Sequence, residues 1–427
     1  MNDTIIKVSR NTDRSPTDAA STQTVAFSHY NYLSAQLPIN TTTKDLVAND
    51  IRVQATQCLR NIKSIVESID HNMNDVIKIN IYLKDLKDAD KDIEQDIKAI
   101  DTIYAAFFQG YLPTRTIIAV ADLPNDALVQ MDAVISNGRG THPQAPSELI
   151  KVARNTEEVP RDSASPHTIA FSHYNNISAQ LPIDCATGEL IAGGIKEQTE
   201  QCLHNVKAIL ASIKVPLQDI VKVNIFLTRL ADIKAVDEVY AMFFSDSIIA
   251  NEQSYIPART ITAVSALPMN ALVQIDVIVS HGDGTPPQAV EDKHGIVIEA
   301  NNTDKAPKDP LSTQTVAFSH YNHLSGQLPI DPDTGKIIDG DIAAQTKQCL
   351  ENIKAIVESV DHVMDDVVKI NIQLKNIEDI DKVNAVYTPF FNADLPARTV
   401  VGVSDIAMDA LIQIEAIVSN AEGTAPT

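Results

Sequence analysis

The chain has 427 residues, 44% of them hydrophobic, with 34 basic against 56 acidic side chains and a formal net charge of −22. That length admits two to four domains, and the excess of acid excludes broad binding to a phosphate backbone, which needs clustered Lys and Arg. No run approaches the ~18 apolar residues of a membrane span, the polar start MNDTIIKVSRNTD has no apolar leader core, and the charge fits a dispersed cytoplasmic protein.

In chain order the elements come in three rounds, the signature of internal repetition. Each round opens on an alternating segment, GIVIEAN at 295–301 in the third, which predicts a half-buried strand. Two short strands follow around a His-Tyr-Asn turn: SHYNYLSAQLPIN at 28–40 returns as SHYNNISAQLPID at 172–184 and SHYNHLSGQLPID at 319–331. The turn histidines His29, His173 and His320 read as surface residues. A helix comes next: QCLRNIKSIVESI at 57–69 returns twice, and in the third round Ile342, Thr346, Cys349, Ile353 and Ile356 share one face. Cys58, Cys202 and Cys349 hold one position in that helix and read as small buried hydrophobes, whereas Cys185 lies alone in a turn. DVVKINIQLKNI at 366–377 alternates, setting Val367, Lys369, Asn371 and Gln373 opposite Val368, Ile370, Ile372 and Leu374. DIDKVNAVYTPFF at 379–391 predicts a short second helix ended by Pro389. Two strands joined by a short turn close the round; LPTRTIIAVADLPNDALVQMDAVIS at 112–136 is their first occurrence.

The Ser34-type serine recurs at 178 and 325 and the Arg115-type arginine at 259 and 398, a period that suits whole domains of about 140 residues. We place the repeats at 1–142, 143–286 and 287–427. Unequal spacings put eight extra residues in the first repeat, within 88–101, and eight in the second, within 245–257. Gly- and Pro-rich joints at 138–148 and 282–292 read as short linkers. Strand runs with two interspersed helices predict an α+β domain with helices on one face of a mixed sheet. The other face needs cover, and three like domains supply it to one another around a pseudo-threefold axis.

The SAQLP/SGQLP turn, the QCLxNIKAI helix, DVVKINIxL and P-[AT]-R-T followed by L-[IV]-Q-[IM]-[DE] together resemble the Rid family, the reactive imine/enamine deaminases. The resemblance covers all three repeats. It implies a chorismate-mutase-like fold arranged as a single-chain pseudo-trimer, mixed sheets inside and helices outside, from one monomeric chain. It implies hydrolysis of 2-imino or 2-enamino acids to 2-keto acids and ammonia in clefts between repeats, with no cofactor and no metal. The family's carboxylate-binding arginine falls on Arg115, Arg259 and Arg398; a guanidinium offers a carboxylate a planar, permanently charged fork. Unaided, the residues also allow an arginine that merely pairs with a neighbouring acid. The family's pocket serine falls on Ser34, Ser178 and Ser325, where a hydroxyl equally suits a backbone hydrogen bond.

The chain departs from the family pattern in its last strand. A glutamate 15 residues after the arginine is replaced by Gln130, Gln274 and Gln413, and glutamine does not exchange protons near neutral pH. Asp132, Asp276 and Glu415 lie two residues on, on the same strand face, as partial substitutes. A family tyrosine reads as Ser21, Ser165 and Ser312, and a family asparagine survives only as Asn384, with Asp101 and Asp237 in the other repeats. Three unequal clefts follow, the third repeat supplying the most family-like residues. The expected partner is a small 2-imino or 2-keto carboxylate, with neither nucleic acid nor membrane. A non-catalytic carboxylate binder or scaffold is the alternative; ribonuclease activity, claimed for some relatives, is opposed by the acidity.

Overall fold

A computed structural model describes residues 4–85, 93–144, 149–249, 255–281, 284–286 and 297–424. The first repeat runs β1 (Val8–Arg10), β2 (Thr24–Phe27), β3 (Tyr30–Leu33), α1 (Ile51–Ser68), β4 (Val76–Lys84), α2 (Ile93–Tyr104), β5 (Thr114–Val120) and β6 (Val129–Ser136). The second runs β7 (Val152–Arg154), β8 (Thr168–Phe171), β9 (Tyr174–Ile177), α3 (Ile195–Ser212), β10 (Ile220–Leu227), α4 (Ile233–Ile249), β11 (Ala258–Ala263) and β12 (Val273–Ser280). The third runs β13 (Ile298–Asn301), β14 (Thr315–Phe318), β15 (Tyr321–Leu324), a small hairpin of β16 (Ile330–Asp331) and β17 (Lys336–Ile337), α5 (Ile342–Glu358), β18 (Val367–Leu374), α6 (Ile380–Tyr387), β19 (Ala397–Gly402) and β20 (Ile412–Ser419). The fold is α+β, three times over.

Each sheet has six strands in the same order, β1-β2-β3-β6-β4-β5 in the first repeat. The two closing strands are not neighbours. β4 lies between them and pairs parallel with β5 through the α2 crossover, and antiparallel with β6. This leaves the arginine-bearing strand at the sheet edge. The extra residues of the first repeat lie partly outside the described residues, at 86–92; the remainder lengthens α2 to 12 residues against 8 in α6. Those of the second lie partly outside at 250–254, and α4 reaches 17 residues. Of the linker joints, 145–148, 282–283 and 287–292 also fall outside.

One core per repeat lies between its helices and its sheet. In the third repeat Cys349, Ile353 and Ile356 of α5 meet Ile370, Ile372 and Leu374 of β18. The strand alternation holds from residue 369 onward and fails before it. A register shift between Val367 and Lys369 turns Val367 to the helix-side core with Ile370, while Val368 joins the core shared by all three repeats. An added residue in one strand slips every preceding side chain to the other face.

The shared face closes as a ring. Tyr30 donates its hydroxyl to the carbonyl oxygen of Phe171, Tyr174 to that of Phe318, and Tyr321 to that of Phe27, so the first repeat meets the second, the second the third, and the third the first. The rings of Tyr30, Tyr174 and Tyr321 pack edge to face at 5.6–6.1 Å. Next to this aromatic layer lies a buried charged one: Lys78 meets Asp276 at 3.2 Å, Lys222 meets Glu415 at 2.7 Å, and Lys369 meets Asp132 at 3.3 Å.

The hairpin histidines are not at the surface. His29 and His173 are buried, because the hairpin tips converge on the axis and the chain following each last strand folds over them. Thr141, Thr285 and Thr424 accept the backbone N–H groups of Ser28, Ser172 and Ser319 there, each at 2.9 Å. Burial holds the His29 imidazole down at about 4 and that of His323, deeper on the axis, at about 3. Both rings are neutral when folded but protonate below about 6.5 in the unfolded chain, which then binds more protons. Stability is therefore complete above about pH 6.5 and falls as the pH drops toward 4, by roughly 1.4 kcal/mol per pH unit for each ring. We expect the urea midpoint to fall markedly between about pH 7 and pH 5; an unchanged midpoint would show that the rings reach water.

Candidate active site between repeats

Arg115, Arg259 and Arg398 lie near the start of the edge strands β5, β11 and β19. Each edge docks on the next repeat. The Arg398 N–H donates to Ser34 Oγ at 2.8 Å, and its carbonyl accepts from Ala35 N at 2.9 Å. Ser34 Oγ in turn donates to Thr22 O at 2.6 Å. Ser178 braces Arg115 and Ser325 braces Arg259 in the same way. The serines thus join one repeat to the next, with their single proton already used.

Every arginine therefore faces a cleft built from two repeats. Arg398 and Asn384 of the third repeat meet Ser34 and Gln130 of the first; Arg115 and Asp101 of the first meet Ser178 and Gln274 of the second. Arg259 and Asp237 of the second meet Ser325 of the third. Under each guanidinium lies a buried tyrosine ring, Tyr104, Tyr240 or Tyr387, at 5.5, 4.9 and 5.2 Å.

The guanidinium forks are engaged by acids as well as aimed at the clefts. In the first repeat Arg115 binds Asp101 and, at 2.9 Å, Asp162 of the second. Arg259 binds Asp237 at 2.6 Å and Asp309 of the third repeat at 3.0 Å. Arg398 binds Asn384 at 2.5 Å and Asp18 of the first repeat at 2.8 Å. Burial works against the Arg115 and Arg259 charges, yet the acids around Arg115, and Tyr240 together with the acids around Arg259, hold both more firmly protonated than usual. Two carboxylates flank Arg115 and Arg259, whereas one flanks Arg398, so the third arginine alone sits in a charge-balanced pair. The 3/1 cleft is also roomier, about 730 Å³ against about 280 Å³ for the 1/2 cleft. Glu94 and Ile97 of the lengthened α2 line the smaller cleft, where Met269 N donates to Glu94 Oε1 at 2.5 Å.

Asp18, Asp162 and Asp309 did not emerge from the motifs. Their signal was present: an aspartate stands three residues before Ser21, Ser165 and Ser312 in every repeat. Each aspartate accepts a hydrogen bond from that serine, at 2.9, 2.9 and 3.2 Å.

The glutamines occupy unequal settings. Gln130 and Gln274 are buried beside their clefts, and Oε1 of each has no hydrogen-bond partner among the described residues. Gln413 instead donates Nε2 to Ile261 O at 3.1 Å. Gly326 permits this, since an added Cβ there would lie 2.7 Å from Nε2; the other repeats carry Ala35 and Ala179. The second acids do not substitute for the missing glutamate. Asp132 accepts from Asn80, Lys369 and Thr399, and Glu415 from Asn371, Lys222 and Thr260, all in the axial layer. Two residues along a strand is about 6.6 Å, enough to carry them from cleft to axis.

The chain matches the Endoribonuclease L-PSP family at residues 14–136, 166–281 and 303–420, one match per repeat. It belongs to this family, the Rid family, in three tandem copies. A RutC family protein of Pyrococcus abyssi is 45% identical over 117 residues, 27% of this chain and 91% of that protein. Two proteins named 2-iminobutanoate/2-iminopropanoate deaminase are similar to single repeats. That of Salmonella typhimurium is 46% identical over 22% of this chain and 74% of its own length, and that of Escherichia coli K12 45% over 24% and 83%. A solved Rid family protein from Yersinia pestis is 35% identical, covering 29% of this chain and 99% of that one, with a TM-score of 0.28. As a Rid chain this protein carries its arginines in every repeat. No helix among the described residues is long and apolar enough to cross a membrane, and those residues hold no group of three metal-ligating side chains.

Proposed function

We propose that this tandem Rid protein hydrolyses 2-imino acids to 2-keto acids and ammonia, and that it does so in the 3/1 cleft. The observation that carries the reading is Arg398, buried on Tyr387, paired with neutral Asn384 and with a half-exposed Asp18 that a ligand carboxylate can displace. Arg398 and Asn384 hold the carboxylate. Gln130 lines the inner end of the cleft, where its amide orients the attacking water. The water oxygen bonds to C2, the C=N electron pair moves to nitrogen, and after proton transfer the tetrahedral adduct releases ammonia and leaves the keto acid. Imine hydrolysis is intrinsically easy, so positioning and charge placement suffice without a strong base. In the 1/2 cleft Arg115 with Gln274 keeps the same layout, whereas in the 2/3 cleft Gln413 is tied to Ile261 O; in both, a second aspartate competes for the fork.

Two relatives bearing the deaminase name at 45–46% identity support the reading. The uniform glutamine favours a second one, a pocket that captures a small carboxylate without turning it over. Ammonia release from 2-aminoacrylate generated in situ separates them. Acceleration over buffer is expected; binding of 2-ketobutyrate without acceleration would establish the binder instead. Asp18→Ala removes the internal competitor, and we expect it to tighten 2-ketobutyrate binding roughly fivefold by calorimetry, the scale of one exposed ion pair. Weaker binding would mean that Asp18 orients Arg398 rather than competing for it.

A further inference from the structure

Helix α6 reverses the charge arrangement of its two counterparts. The residue facing the arginine is Asp101 or Asp237 in the first two repeats and Asn384 in the third; three positions earlier, one turn back on the same face, stand Lys98 and Lys234 but Asp381. The third repeat has lost the acid beside the guanidinium and gained one a helical turn away, where its counterparts carry a lysine.

Asp381 lines the 3/1 cleft together with Glu378. Among the described residues no cation pairs with either carboxylate, and the neighbouring Lys382 is held by Asp379 at 2.7 Å. Three further carboxylates line the cleft, but Asp18 sits on Arg398 and Asp122 and Asp126 share Lys84. The 1/2 cleft differs: of its three carboxylates, Asp101 and Asp162 sit on Arg115 and Glu94 accepts from Met269 N. At the inner end Gln130 lines the cleft and is only 4% exposed. The cleft thus has a cationic floor in Arg398 and an acidic wall that, among the described residues, no cation neutralises.

We propose that the 3/1 cleft selects 2-imino acids whose side chain ends in a cation, an ammonium or a guanidinium. Arg398 and Asn384 take the carboxylate, and Asp381 with Glu378 takes the distal charge. Asp381 lies one helical turn, about 4.5 Å along the axis, before Asn384, so the distal charge is met away from the carboxylate. The acidic wall also raises the local concentration of such cations. This inference rests on the reading of the 3/1 cleft as the ligand site.

Calorimetry on the full chain tests it with three stable keto analogues: 5-guanidino-2-oxopentanoate, 2-ketobutyrate and 2-ketoglutarate. The guanidino acid is expected to bind about fivefold tighter than 2-ketobutyrate, with 2-ketoglutarate weakest, and its advantage should shrink in about 0.5 M salt. Asp381→Lys, which installs the residue of the other two repeats on an exposed helix face, is expected to reverse the order of the cationic and anionic acids. Equal affinity for the guanidino acid and 2-ketobutyrate, or an unchanged order in D381K, overturns the selectivity and leaves the carboxylate site standing. Failure of all three to bind overturns both.

Discussion

Arg398→Ala is expected to lower kcat/KM for 2-aminoacrylate hydrolysis by roughly 100-fold, about 2.7 kcal/mol, the loss of a charge-assisted two-point contact to a carboxylate. The guanidinium is buried, rests on Tyr387 and is bound at its other nitrogen by Asn384, so no other side chain in the cleft can take its place. The matching substitutions at Arg115 and Arg259 remove a cation already shared between two aspartates. They should affect turnover far less than Arg398→Ala. The comparison is made with one ammonia assay on three variants of the same chain. Three equal losses would show that all the clefts work; no loss in any would remove the deaminase reading.

Asp132→Ala is expected to destabilise the protein by about 3–5 kcal/mol, the cost of leaving a buried charge without its partner. Lys369 is 6% exposed and held by Asp132, by Thr399 Oγ1 at 2.8 Å and by Leu33 O at 2.8 Å. Burial already pulls the Lys369 ammonium below its ordinary pKa, with Asp132 opposing that pull. Removing Asp132 also strips Asn80 and Thr399 of an acceptor. Urea unfolding measures the loss, and Asp132→Leu combined with Lys369→Met should recover most of it, since an apolar pair of similar volume carries no desolvation penalty. A loss under about 1 kcal/mol would mean that water enters the layer and solvates the lysine. Because this layer links all three repeats, its failure should unfold them together.

The axial layer also shows why part of the site was legible in the sequence and part was not. Arg115, Arg259, Arg398 and the three glutamines were visible because they recur at one spacing within every repeat. Asp132, Asp276 and Glu415 share a strand face with those glutamines, as alternation predicts. Where along that face the cleft ends and the axis begins depends on which lysine arrives from the neighbouring repeat. Asp132 meets a lysine 237 residues away.

By itself the sequence determined that there are three copies, what kind of element each segment forms, which helix face is buried, and that one arginine recurs at the same place in every copy. Those properties are written in periods of two and 3.6 residues and in recurrence, all local to a repeat. Only the tertiary structure decided the rest. Closing the ring brought Asp18 onto Arg398, 380 residues apart, and Asp162 and Asp309 onto the other two arginines. It buried His29 and His173, and a register shift exchanged the faces of Val367 and Val368 relative to the rest of their strand. Partners of that kind are chosen by how three sheets pack around one axis, and no periodicity within a single strand or helix records that choice.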